Sequence, residues 1–228
     1  MQLFYIPNIK SNILLKDEFI HCIKVLRHKV KDVINVTDGK GNIYSAKIVE
    51  ISKNECTIQI ITSIKKILRK KNIHLVITPT KSFNRMEWMI EKLTEIGISE
   101  VSFVYSKNSE RKKINLKRLE KKSISAMKQS NSALKPVINE ITSFKDFLNK
   151  NLKYKEKFIA QVKAKKLLKN SIKYGDESII IIGPEGDFSK EEIHLAKIYK
   201  FKNISLGKNI LRTETAGLIS CFTIINYQ

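Results

Sequence analysis

An α/β domain with a largely parallel sheet, preceded by a small β-rich unit, is the fold class that this 228-residue sequence predicts. Three observations predict it. From Ile73 onward the chain falls into a rhythm of strand, loop and helix. Four consecutive isoleucines, Ile179 to Ile182, have no polar face, as a strand covered on both sides requires, and a glycine turn and a helix start follow them. Before residue 65, by contrast, short alternating stretches flank the turn Asp38-Gly39-Lys40-Gly41, with only one brief helical stretch.

In chain order, an apolar strand is expected at Leu3 to Ile6 and a short helical stretch at Phe19 to Leu26. A hairpin follows, from Asp32 to Thr37, through glycines that can take positive φ, into a strand through Tyr44, Ala46 and Ile48. Another strand, Cys56 to Ile61, completes a barrel-like count. Lys65 to Asn72 holds five lysines and arginines in eight positions with little apolar periodicity, which marks a boundary between a first domain at 1–68 and a second at 73–228. The second domain opens with a strand at Ile73 to Thr78 and a loop at Pro79 to Asn84. A helix at Arg85 to Ile96 follows, in which Met86, Met89, Ile90, Leu93 and Ile96 recur at helical spacing. Asn84 with Glu87 supplies its start signal and Gly97 its stop.

Next come a strand at Val101 to Tyr105, a lysine-studded helix at Leu116 to Ser130, and strands at Lys157 to Val162 and Ser178 to Ile182, while Thr142 to Lys155 supports only a short helix. Ser189 and Glu192 form an S-x-x-E capping box that opens a helix through Ile193, Ala196 and Tyr199. Ile204 to Leu206 reads as a short strand, and Thr213 caps a final helix to about Asn226 that buries Ala216, Leu218, Ile219, Phe222 and Ile225.

Composition narrows the function classes. The first apolar residues are broken by Pro7, Lys10 and Lys16, and no apolar run approaches membrane-spanning length, so a cytoplasmic protein without a membrane partner is expected. Cys22, Cys56 and Cys221 are too far apart for a C-x-x-C pair and read as core residues. His21, His28, His74 and His194 lack the H-E-x-x-H arrangement, so no metal is expected. The net charge of +21, from 43 Lys and Arg against 22 Asp and Glu, favours a polyanionic partner such as nucleic acid. Part of that excess is compositional, because lysine, isoleucine and asparagine are abundant everywhere. The six arginines, Arg27, Arg69, Arg85, Arg111, Arg118 and Arg212, are more informative, since a guanidinium is the better fork for phosphates and base edges. A ligand is expected at the Gly183-Pro184-Glu185-Gly186 turn, at the carboxyl end of a sheet strand. The turn fits neither a P-loop nor a G-x-G-x-x-G dinucleotide site, which disfavours those two classes.

The strings IIGPEGDFSKEE at 181–192 and SLGKNILRTETA at 205–216 resemble the SPOUT-class methyltransferases, and within them the small-subunit (16S) ribosomal RNA uridine-N3 methyltransferases. HCIKVLRH at 21–28, NRMEWMIEKLTEIGI at 84–98, SERKK at 109–113 and AMKQS at 126–130 extend the resemblance, in order, over nearly the whole chain. It implies a trefoil-knotted α/β domain after a PUA-like β-barrel, working as a homodimer with S-adenosylmethionine as cofactor and 16S rRNA or the small ribosomal subunit as partner. Carried onto this chain, the cofactor would be held by Gln161, Ile182, Gly183, Pro184, Glu185, Gly186, Leu206, Gly207, Ile210, Leu211, Thr213 and Ala216. Two departures stand out: many members have a second glycine where Asp187 stands, and a Gly-Arg pair is replaced by Asn131 and Ser132.

Methylating uridine N3 requires loss of the N3 proton, so negative charge develops on the uracil carbonyls. Arg212, with Arg85 or Arg111 from the partner subunit, is expected to stabilise it. Glu185 or Glu214 would accept the proton or orient an arginine, and a carboxylate beside a guanidinium stays too weakly basic to favour the first role. N3 lies on the pairing edge, so the base must be unpaired or extruded. Lys24, Arg27, His28, Lys81, Arg111, Lys112, Lys113 and Lys128 are the expected RNA contacts. The rival readings are a SPOUT enzyme with another RNA target and a non-enzymatic RNA-binding ribosome-assembly factor, which donor binding would separate.

Overall fold

A computed structural model describes residues 2–150 and 153–227. Two compact units emerge, one running up to Arg69 and including Ile124–Lys135, the other Lys70–Ser123 with Pro136 onward.

In the first unit β1 (Leu3–Tyr5), β2 (Ile13–Leu15), β3 (Val33–Thr37), β4 (Asn42–Ile51) and β5 (Glu55–Lys66) form one sheet in the order β1-β3-β4-β5-β2. Its residues alternate as the sequence reading requires: Ile34 and Val36 of β3, Ala46 and Ile48 of β4, and Cys56 and Ile58 of β5 enter one core with Phe4, Leu14 and Cys22. The expected helical stretch begins earlier, as α1 (Lys16–Phe19), and continues through Ile20–Val25 as a π-helical turn. The hairpin turn is held by Asp38, whose carboxylate accepts from the backbone N–H of Lys40 at 2.8 Å and the side chain of Asn42 at 2.6 Å.

The second unit is built on six strands paired in parallel throughout. β6 (Asn72–Ile77), β7 (Glu100–Tyr105), β8 (Val137–Ser143), β9 (Glu156–Ala160), β10 (Glu177–Ile182) and β11 (Lys202–Ile204) lie in the order β11-β9-β10-β6-β7-β8. Ile180 and Ile182 of β10 face one core and Ile179 and Ile181 the other, which is why this strand has no polar position. Four further helices cover the sheet: α2 (Phe83–Glu95), α4 (Phe144–Leu148), α5 (Lys190–Ile198) and α6 (Thr213–Ile225), with α3 (Leu116–Gln129) crossing from this unit's residues into those of the first.

Several boundaries differ from expectation for physical reasons. α2 starts at Phe83 with Ser82 in the capping position, and Glu87 does not cap it but forms a two-pronged ion pair with Arg118 at 2.6 and 2.7 Å. Its other end is as expected: Gly97 at φ +84° lets its own N–H reach Thr94 and that of Ile98 reach Leu93. β8 has no counterpart in the sequence reading, because this edge strand alternates weakly, with Val137 exposed and Asn139 and Glu140 within it. α4 occupies part of Thr142 to Lys155, of which residues 151 and 152 lie outside the described residues. α6 turns a different face inward: Ala216, Gly217, Ser220, Cys221 and Ile224 are buried, whereas Ile219 and Phe222 are exposed. Gly217 explains the choice, because a Cβ there would lie 2.9 Å from Ile77, so the helix sits close on the sheet only along that row.

A polar network in this unit centres on a buried histidine. His74 of β6, 3% exposed, pairs its ring nitrogens with the hydroxyls of Tyr154 (3.1 Å) and Ser102 (2.8 Å), and Asn139 donates to Ser102 and to Glu100. Burial pushes the imidazole pKa down to about 4, the nearby Lys150 adds to that, and Glu100 opposes it.

Candidate functional site

β9, β10 and β11 are hydrogen-bonded neighbours that end at Ala160, Ile182 and Ile204, so the segments leaving them emerge from one edge of the sheet. β10 ends at Ile182 as the sequence suggests, but the other two strands stop early: β9 before Gln161 and Val162, and β11 before Ser205 and Leu206. The freed residues are the ones that line a pocket with about 690 Å³ of space between its atoms, part of it open to solvent. Ala160 to Val162 form one wall, Ile182 to Glu185 with Asp187 the second, and Ser205 to Leu211 the third; Thr213 and Ala216 of α6 close it.

Local sequence dictates this shape. Gly183 must lack a side chain, since a Cβ there would fall 2.8 Å from the ring of Phe188, which packs beneath the turn. Gly207, at φ +145°, takes a backbone conformation that other residues avoid. Gln161 donates its backbone N–H to Ile204 at 2.9 Å, joining the first segment to the third strand. Thr213 is the first helical residue and not the expected cap; its hydroxyl donates to the Gly183 carbonyl at 3.2 Å and ties α6 to the second segment. Below the turn, Ser189 and Glu192 make the expected capping box at the start of α5.

Of the residues expected to hold a cofactor, Gln161, Ile182, Gly183, Pro184, Glu185, Leu206, Gly207, Ile210, Leu211, Thr213 and Ala216 line this pocket. Gly186 does not; a Cβ on it would stand 3.4 Å from Asn108. Ala160, Val162, Ser205, Lys208 and Asn209 line it without having been singled out, and so does Asp187, which was named only as a departure from the family's pattern. Their signal was position alone, since they interleave with the motif residues on the same three segments.

The charged candidates divide. Glu214, in the first turn of α6 where the helix dipole favours a carboxylate, is 5% exposed and has one oxygen 3.6 Å from Nε of Arg85 on α2. Its other oxygen is buried without a hydrogen-bond partner among the described residues. Arg212, in the capping position of α6, and Glu185 are both exposed, and neither forms an ion pair among the described residues. The structure therefore joins Arg85 to Glu214, and gives Arg212 no carboxylate to hold it.

The expected RNA contacts fall in both units. In the first, Lys24 and Arg27 are exposed, and Arg27 sits at φ +57° at the end of the π-helical turn. His28 approaches the Asp32 carboxylate at 3.1 Å. The backbone N–H of Lys29, followed by His28, holds that carboxyl below its usual range. Lys128 departs from expectation: it is only 18% exposed and its ammonium is taken by Glu18, so it has little left for a phosphate. In the second unit, Lys81, Lys112 and Lys113 are exposed, with Lys112 5.7 Å above the Tyr105 ring, whereas Arg111 spends its guanidinium on the Lys81 carbonyl at 2.6 Å. Among the described residues no group of three or more His, Cys, Asp and Glu side chains could hold a metal, and no helix is long and apolar enough to cross a membrane.

A parallel sheet with a pocket of three strand-end segments, in a chain that also carries a β-rich unit, defines an RNA methyltransferase with its PUA domain: family models of an RNA methyltransferase domain and an RNA methyltransferase PUA domain match residues 68–225 and 14–61. A ribosomal RNA small subunit methyltransferase E from Mesomycoplasma hyopneumoniae is 34% identical over 96% of each chain. The chain belongs to the ribosomal RNA small subunit methyltransferase E family, and its α/β domain is of SPOUT type. Among solved structures it is similar to a probable rRNA-methyltransferase from Porphyromonas gingivalis, 38% identical with a TM-score of 0.93, covering 100% of this chain and 98% of that one. It is also similar to a ribosomal RNA small subunit methyltransferase E from Neisseria gonorrhoeae solved bound to S-adenosyl methionine, 26% identical with a TM-score of 0.83, covering 98% and 96%.

Proposed function

We propose that the protein methylates N3 of one uridine in 16S rRNA, using S-adenosylmethionine held in the pocket at the ends of β9, β10 and β11. The observation that carries this reading is the convergence of the three segments on one pocket. Its residues suit the donor: Ile182, Leu206, Ile210, Leu211 and Ala216 offer an apolar wall for an adenine ring, loop backbone offers hydrogen-bonding groups, and Glu185 and Asp187 offer carboxylates for a cationic centre. When bound, S-adenosylmethionine supplies an electrophilic methyl on a sulfonium.

The chain's own residues would do the rest. Arg85 stabilises negative charge on the uracil carbonyls, and Glu214 is its orienting carboxylate, a role that fits a buried acid already beside a guanidinium. Arg212, in no ion pair among the described residues, turns towards substrate. Glu185, exposed on the pocket's second wall, is the better placed of the two acids to take the N3 proton. Exposed Lys24, Arg27, Lys81, Lys112 and Lys113 hold phosphates, and the enzyme works in the cytoplasm as a homodimer, for which the exposed apolar residues Ile219 and Phe222, one helical turn apart on α6, provide a surface. In vitro methylation of purified small subunits and of naked rRNA, with the modified base mapped by mass, tests the reading. One N3-methyluridine in the small-subunit RNA is expected; a methyl on ribose, on another base or nowhere would overturn it.

A further inference from the structure

The turn after β10 carries a strained residue, and another loop reaches over to hold it. Asp187 has φ +57°, in the left-handed region that L residues avoid, and it is one of the pocket-lining residues. Part of the strain is met locally: Asp187 donates its N–H to Pro184 at 3.0 Å, and its carboxylate accepts from the N–H of Phe188 at 2.8 Å. The rest of the support comes from the segment after β7. Asn108 donates its side-chain amide to the carbonyls of Gly186 at 3.1 Å and Asp187 at 2.9 Å. Two carbonyl partners require the nitrogen of that amide, so the orientation of the side chain is fixed by chemistry.

The approach is close on both sides. A Cβ at position 186 would stand in ordinary van der Waals contact with Asn108, 3.4 Å from its Cβ, so the two segments lie side by side here. Next to it, Lys107 donates its N–H to Glu192 at 2.8 Å, and the other oxygen of Glu192 accepts from the N–H of Ser189 in the α5 capping box. The 107–108 dipeptide thus grips the turn at 186–187 and the helix start that follows it.

We propose that Asn108 is a positioning residue for the methyl donor. It does not itself line the pocket; by holding the carbonyls of Gly186 and Asp187 it keeps the wall formed by Gly183 to Glu185 with Asp187 in the shape that receives the donor. This rests on the reading of the pocket as the S-adenosylmethionine site. An aspartate at 108 would set a carboxylate against two carbonyl oxygens and act more harshly than an alanine.

The test is calorimetric binding of S-adenosylmethionine to the full-length wild type, N108A, N108D and, because glycine adopts positive φ freely, D187G and N108A/D187G. Steady-state kinetics and hydrogen exchange at the 186–188 amides accompany it. N108A is expected to weaken donor affinity about tenfold, the worth of roughly one hydrogen bond, and N108D more; KM for the donor rises while kcat at saturating donor stays within about twofold. Against D187G as parent, the loss on adding N108A should shrink to about twofold, because a glycine turn needs less bracing. Faster exchange at 186–188 in cofactor-free N108A separates an altered turn from general unfolding. Equal donor affinity in wild type and N108A, or a loss confined to kcat, overturns the positioning role while leaving the enzyme reading intact. Wild type that binds no donor overturns both.

Discussion

At the scale of single residues, Arg212 and His74 show how environment separates function from stability. Arg212 is exposed and free of ion pairs among the described residues, so Arg212→Ala should leave the thermal midpoint unchanged while lowering kcat about a hundredfold, the usual worth of one preorganised charge donor. Unaltered turnover in a folded variant would remove it from the catalytic group. His74 works the other way. Its pKa is depressed from 6.5 to about 4, so the unfolded chain takes up a proton first. The stability it contributes is fully present above pH 6.5 and is lost as pH falls towards 4, about 3 kcal/mol in all. Urea unfolding at pH 7 and pH 4.5 should show most of that drop in wild type and much less in His74→Gln; equal drops would refute the assignment.

At the scale of elements, the sequence was most legible where one local rule sufficed. Met86, Met89, Ile90 and Leu93 foretold the buried face of α2, Ile179 to Ile182 a strand covered on both sides, and Ser189 with Glu192 the start of α5. It was least legible where tertiary contacts decide. All thirteen positions of α6 contain too few polar residues to mark a face, and only the close approach of Gly217 to Ile77 selects one. That choice leaves Ile219 and Phe222 41% and 51% exposed, which isolated surface residues tolerate but a paired apolar row favours covering. On the proposed homodimer, sedimentation should show a dimer for wild type and a monomer for the Ile219→Asp/Phe222→Asp double variant, with folding retained because neither side chain belongs to the core; a dimer of unchanged strength would place the subunit contact elsewhere.

At the scale of the whole molecule, net charge of +21 makes electrostatics the first term in any encounter with RNA. The logarithm of the association constant for small-subunit RNA should fall linearly with the logarithm of salt, with a slope of about −4 if five or six phosphates are neutralised. A flat response would mean that the lysines are solvated surface and nothing more. Composition could announce this polyanion preference but could not apportion it, because Lys128 and Glu18, or Arg111 and the Lys81 carbonyl, cancel or commit charges that look free in the sequence. The pocket followed a similar pattern: its motifs located the three segments, and the strand ends that expose Val162, Ser205 and Asn209 needed the paired sheet.

The parallel pairing of β10 with β6 also governs when activity can arise. Residues 72–77 wait for 177–182 before that part of the sheet can close, and the hydroxyl of Thr213 must arrive before the Gly183 turn is tied to α6. A nascent chain released before residue 205 would own the β-rich unit and all six strands of the parallel sheet, yet lack the pocket's third wall and the helix that closes it. Refolding from denaturant should accordingly recover β-sheet signal ahead of donor affinity, since contacts this distant in sequence form slowly.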